Sequence, residues 1–180
     1  MPKQIFPPTT DEYAAFYNDY IERASQRDDV YAALSHQIDE LHAALDSLTD
    51  AQARFKPGPQ EWSIKEVIGH LGDVERVFSY RLFRIARNDG TPLAGFDQDD
   101  YVQESGFDFA PLEDLISEFE HLRRANVLTI HHLSDAAIDR RGNASGCDVS
   151  ARALIYMLVG HLDHHMASLQ EKYLPAVVML

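Results

Sequence analysis

The sequence predicts an all-α protein: a four-helix bundle preceded by a short accessory segment. Three observations lead there. Four long segments carry apolar residues at spacings of three and four, the period of one helix face. No segment alternates apolar and polar residues as a half-buried strand does, and no internal repeat or low-complexity tract is present. The four segments are separated by clusters of Pro, Gly, Asn and Asp, residues that stop helices or turn the chain. A chain of 180 residues suits one domain with a sizeable core. We divide it into an accessory segment over residues 1–25, a bundle over residues 26–175 and a tail over residues 176–180.

In chain order, the prolines among residues 1–8 predict an extended leader, and Asp11 to Ser25 a short irregular helix lying across the bundle. Asp28 and Asp29 supply acidic caps for a first long helix with Val30, Leu34, Ile38, Leu41 and Leu45 on one face, ending near Leu48. Arg54 to Pro59 is a turn. Ser63 and Glu66 form a capping box, and Trp62 and Val67 a hydrophobic staple, so the second long helix begins at Ile64. It runs to about Asn88, where Asn88-Asp89-Gly90-Thr91-Pro92 stops it. The connection from Thr91 to Ala110 exceeds ordinary loop length and is expected to lie over one end of the bundle or take part in a contact. Pro111 opens the third helix, which carries Leu115, Phe119, Leu122, Asn126 and Ile130 to about Leu133. Asp139 to Asp148 reads as a loop. The fourth helix begins after Ser150 and reaches Tyr173, with Pro175 ending it.

Within that last helix, three histidines fall in five residues: His161, His164 and His165. At about 100° per residue, with His161 set at zero, the apolar stripe centres near +80°, His165 lies at about +40° and His164 at about −60°. His161 and His165 therefore face inward, one turn apart, and can share one divalent metal, whereas His164 turns away. A catalytic site needs a third protein ligand. His70, in the second turn of the capped helix and on the edge of its apolar stripe, is the candidate; if the two helices are neighbours, three imidazoles converge and leave coordination positions open. A single rim histidine is more often packed and hydrogen-bonded than a ligand; the conjunction of three carries the reading.

The run Glu61 to Val67 leading to His70-Leu71, then Asp73 and Glu75, and later Gly160-His161 with His164-His165, resembles the DinB-like (DinB/YfiT-type) superfamily of metal-binding four-helix bundles. Gly95 to Asp99 and Arg123-Arg124-Ala125-Asn126 fit one of its subfamilies, and the resemblance runs from about Tyr20 to Leu174. It implies that His70, His161 and His165 bind a divalent metal, and that a long crossover lets helices two and three run parallel. It also implies either thiol-dependent transfer or isomerisation, or a hydrolase role. Three neutral imidazoles suit zinc, nickel, iron or manganese about equally in kind, and zinc or nickel is expected in the protein as isolated. The substrate is then a small molecule, in the thiol-dependent case beside a low-molecular-weight thiol. The reading from another class is a metal-binding or dimerising bundle without turnover.

A net charge of −13 disfavours nucleic acid and anionic lipid as partners. The single Cys147 allows no internal disulfide, and residues 1–8 lack a secretory apolar core, so a cytoplasmic location is expected, with no membrane span. Asp73, three residues after His70, is open to three roles: supporting a ligand, holding a water, or standing as a solvated charge. His164 is its counterpart on the last helix. Arg81 faces inward and calls for a counter-ion, for which an aspartate of Asp97, Asp99 and Asp100 is the preferred partner. Glu118 and His121 make only one of the two Glu-x-x-His motifs a di-iron bundle requires. Leu162 stands where a zincin has glutamate, which argues against a metalloprotease. Cys147 is not supported as a nucleophile, and His131-His132 is expected to interact favourably with a helix C-terminus. The stripe of Tyr31, Leu34, Ile38, Leu41 and Leu45, with apolar Val177 to Leu180, favours a homodimer.

Overall fold

The computed structural model describes residues 4–177. After the leader come α1 (Asn18–Ser25), α2 (Val30–Leu45), α3 (Ile64–Ala86), α4 (Gln98–Ser105), α5 (Leu112–His131) and the one-turn α6 (Asp135–Ile138). A hairpin of β1 (Arg141–Ala144) and β2 (Cys147–Ser150) leads into α7 (Ala151–Ser168), and α8 (Leu174–Val177) follows a π-helical turn over Leu169–Tyr173. Helices α2, α3, α5 and α7 form the bundle.

The starts of these helices follow from their capping residues. The Asp29 carboxylate accepts from Tyr31 N and Ala32 N at the head of α2. Ser63 and Glu66 satisfy each other's backbone amides in a full capping box at the head of α3. At the far end of α3, Asn88 adopts the left-handed conformation with φ 64°, which stops the helix.

Direction is fixed by the contacts at each end. Lys65 Nζ, fully buried, donates to Ala110 O at 2.6 Å and pairs with Asp50 at 2.9 Å, so the heads of α3 and α5 meet the chain that leaves α2. At the opposite end Arg140 donates to Ala86 O at 2.5 Å and Tyr31 meets His131 at 3.1 Å. Helices α3 and α5 are therefore parallel, with α2 and α7 antiparallel to both. The crossover that allows this contains α4 and travels back along α3. It is pinned by Leu93 to β1 near the tail of α3, through Leu93 N to Asn143 O at 2.9 Å and Ser145 N to Leu93 O at 2.9 Å. Its other pin is Asp108, which accepts from Ser63 Oγ at 2.5 Å at the head.

Three sequence expectations are corrected. The stretch from Asp139 to Asp148 is not a loop: it holds a four-residue-per-strand hairpin, with Ser145 (φ 54°) and Gly146 (φ 77°) in the tight turn. Strands this short give no period-two pattern, and the Ser-Gly pair was their one signal. Pro175 does not end the last helix. The preceding turn widens to the π form, which accommodates the missing N–H, and α8 continues to Val177. On α5 the buried position in the stripe belongs to Arg123, and Leu122 is only half-buried.

The core is divided. One cluster gathers Val74, Phe78, Leu82 and Ile85 of α3 with Leu154 to Val159 of α7, and the other Val67, Ile68 and Leu71 with Leu162, Met166 and Leu169. Buried polar residues lie at the division: Gln37, His70, Glu75, Arg123 and His161. Leu34, Ile38, Leu41 and Leu45 are buried in this core, as is Val177, so that face is satisfied within one chain; residues 178–180 of the apolar tail lie outside the described residues.

The accessory segment packs across the bundle, as expected. α1 crosses α7 at Gly160, where an added Cβ would lie 1.8 Å from Tyr20 O. Only glycine permits this approach.

Candidate metal centre

His70 comes from the second turn of α3, and its register is set by the Ser63 cap. His161 and His165 come from α7, whose register is set by Ser150 accepting from Ala153 N. Because α3 and α7 are neighbours, the three rings converge at the division in the core. His161 Nε2 lies 3.0 Å from His70 Nε2 and 3.1 Å from His165 Nε2, and the three ligand atoms all lie within 4.8 Å of one another.

This geometry suits a cation better than it suits hydrogen bonding. His161 Nε2 has one site, either a proton or a lone pair, yet two other Nε2 atoms crowd it. A tetrahedral centre with metal–nitrogen distances of about 2.1 Å holds its ligands about 3.4 Å apart, so a small opening seats one. Burial pushes the His70 imidazole down to about 4 and His165 to about 3, and His161 falls well below its ordinary value through burial and the neighbouring histidines. All three are neutral at pH 7, the state in which imidazole binds metal.

Aromatic rings hold these ligands in place. Trp62 packs 4.7 Å from His70, Tyr20 stands edge-on to His161 at 5.3 Å, and Phe78 lies 6.0 Å from His161. His164 points away from the cluster, as the helical wheel predicts, and joins Asp19 of α1 at 2.7 Å, clamping α1 to α7. Asp73 lies 3.8 Å from Arg76, and burial raises its carboxyl; among the described residues no hydrogen bond links it to His70. Glu118 pairs with Arg76, and His121 Nδ1 with Ser117 O at 2.6 Å, so that motif faces outward. Cys147 is half-buried in β2.

Arg81 corrects an expectation. It does not pair with Asp97, Asp99 or Asp100: its Nη2 donates to Ala94 O at 2.9 Å and Ser145 Oγ at 2.8 Å. Asp97 is engaged instead in capping α4, accepting from Asp99 N at 2.9 Å and Asp100 N at 3.3 Å. A cavity of about 410 Å³ runs beside the cluster, lined by Tyr17, Tyr20, Phe78, Arg81, Phe96 and His161 among others. A smaller one of about 220 Å³ reaches His165 past Trp62 and Tyr173. The aromatic walls escaped the sequence reading because Tyr17 and Tyr20 lie in the accessory segment and Phe96 in the crossover, where no helical period marks an inward face.

The family model described as the DinB superfamily matches residues 33–169. No curated protein matches the chain. Among solved structures, YfiT from Bacillus subtilis is similar over 92% of this chain and 91% of its own, at 15% identity and a TM-score of 0.73. It is described as a probable metal-dependent hydrolase with an unusual four-helix bundle topology. A mycothiol-dependent maleylpyruvate isomerase is similar over 83% of this chain, at 12% identity and a TM-score of 0.64; this chain spans 64% of the isomerase. At these identities the likeness is one of fold. No helix among the described residues is long and apolar enough to cross a membrane.

Proposed function

Because the chain belongs to the DinB superfamily, we propose that His70, His161 and His165 hold one divalent cation and that the protein is a metal-dependent enzyme acting on a small molecule. The observation that carries this reading is the meeting of three neutral imidazoles at one point, two buried and that of His165 half-buried, with cavities on two sides of it. The donor set fits zinc or nickel, with iron and manganese also compatible. When bound, such a cation supplies Lewis acidity, polarising a carbonyl or acidifying a water or thiol. The chain's own part is to keep the imidazoles unprotonated, to fix their orientation through Trp62, Tyr20 and Phe78, and to line an apolar approach.

Hydrolysis is the first reaction class, because the likeness to the probable hydrolase spans nearly the whole of both chains. Thiol-dependent transfer or isomerisation is the second, from the likeness to the mycothiol-dependent enzyme. Elemental analysis of the purified chain is expected to give one zinc or nickel per chain, and His70→Ala to lose most of it with the helical circular dichroism kept. Stoichiometric metal in that variant overturns the ligand set. Screens of ester and amide hydrolysis and of thiol conjugation, with and without chelator, separate an enzyme from a metal-binding bundle without turnover.

A further inference from the structure

We propose that the cavity between α1, α3 and the crossover is a binding site for a small organic carboxylate, which places its carboxylate on Arg81 and its other end beside His161. The second half of this statement rests on the metal-dependent reading above; the anion site at Arg81 does not.

Arg81 is 3% exposed and permanently charged. Its hydrogen-bond partners, Ala94 O and Ser145 Oγ, are neutral. The Tyr17 phenol beside it is raised by burial, with the Arg81 charge opposing, so it too is neutral at pH 7. Phe96 covers the guanidinium at 5.9 Å. Among the described residues no carboxylate lies within ion-pair distance of Arg81. Burying a charge without a counter-charge is costly, and the same bundle treats its other deeply buried guanidinium differently: Arg123 is matched by Glu75 at 2.8 Å. Five carboxylates stand in the adjoining crossover of a chain with net charge −13, Asp97, Asp99, Asp100, Glu104 and Asp108, yet none pairs with Arg81. The cation is held in place by neutral groups and left open to an anion from outside.

The cavity that Arg81 lines is of ligand size, about 410 Å³. Its wall is a continuous run of rings: Tyr17 against Phe78 at 5.9 Å, Phe78 against His161 at 6.0 Å and Tyr20 against His161 at 5.3 Å. A planar guanidinium suits a carboxylate, which it grips through two parallel hydrogen bonds. On α3, His70 and Arg81 are eleven positions apart, about 16 Å along the axis. The ligand therefore carries its carboxylate and its reactive group several bonds apart, with an apolar or aromatic body between them.

The probe is 4-phenylbutanoate against its neutral amide, titrated calorimetrically at low salt into the zinc-loaded full chain and into metal-free His70→Ala. The carboxylate is expected to bind at least about tenfold more tightly than the amide in both proteins. Arg81→Gln should abolish that preference. Gln98→Glu, an exposed change at the cavity wall that leaves the core alone, should reduce it about tenfold by adding a competing negative charge, and it decides the matter if Arg81→Gln does not fold. Equal binding of acid and amide, or no binding of either, overturns the proposal. So does a preference that survives Arg81→Gln but is lost in His70→Ala, because the anion would then sit on the metal. If the chain holds no metal, the preference in His70→Ala still reports on Arg81, so the two readings fail separately.

Discussion

Arg123 of α5 grips Glu75 of α3 through one edge of its guanidinium, Nε to Oε1 at 2.8 Å and Nη2 to Oε2 at 2.9 Å, with both side chains buried. Arg123 also donates to Gln37 Oε1 at 2.7 Å and Leu158 O at 2.9 Å, so one side chain ties all four bundle helices together. Removing either partner leaves the other as an uncompensated buried charge. Glu75→Gln is expected to cost about 3–5 kcal/mol, and the double change to Met at both positions less than the two single changes combined. Urea unfolding of the parent, Glu75→Gln, the two single Met variants and the double Met variant measures the differences.

Gly160→Ala would place a methyl group 1.8 Å from the Tyr20 carbonyl, a backbone atom that can move only with α1. The expected result is a bundle that stays folded, destabilised by about 1–3 kcal/mol, with α1 lifted from α7. Amide exchange in residues 18–25 should accelerate far more than in α3.

Ser63 accepts from Glu66 N at 3.0 Å and donates to Asp108 at 2.5 Å, so it caps α3 and anchors the crossover at once. Ser63→Ala is expected to cost about 1–2 kcal/mol, at the upper end for a cap. Asp108→Asn, which leaves the cap alone, should cost less. Thermal melts of the two variants, each referred to the parent, compare the contributions.

Acid weakens the metal-free protein in a predictable window. His70 binds its proton at about 4 when folded and near 6.5 when unfolded, so between those values the unfolded chain holds more protons. Stability contributed by the neutral imidazole is therefore full above pH 6.5, declines as pH falls through the window and is lost below about 4. For His70 alone the span is on the order of 3 kcal/mol, and His165 shifts the same way. Urea midpoints of the chelated protein from pH 7.5 to 4.5 should fall, and His70→Phe should flatten the slope.

The parts of the fold legible in the sequence were those decided locally. The Asp29 and Ser63 caps, the Asn88 stop and the periods of α2 and α3 can each be read within one or two turns. The inward direction of His161 and His165 followed from helical angle alone. What could not be read depends on partners distant in sequence. Arg123 looks like a surface residue until Glu75 faces it from another helix, and Arg81 invites a nearby aspartate until the crossover turns those aspartates into caps. The hairpin was missed because pairing to Leu93, rather than strand length, supports it.

The histidine on α3 and its nearest mate on α7 are 91 positions apart. On a ribosome adding about 5–20 residues per second, His70 emerges roughly 5–18 s before His161. For that interval α3 has only α2 and then α5 to cover its apolar stripe, and no cation can find three imidazoles. An ion held by all three histidines therefore arrives only after α7 has emerged, and until then the cohesion of α2, α3 and α5 belongs to their apolar faces and the Glu75–Arg123 pair.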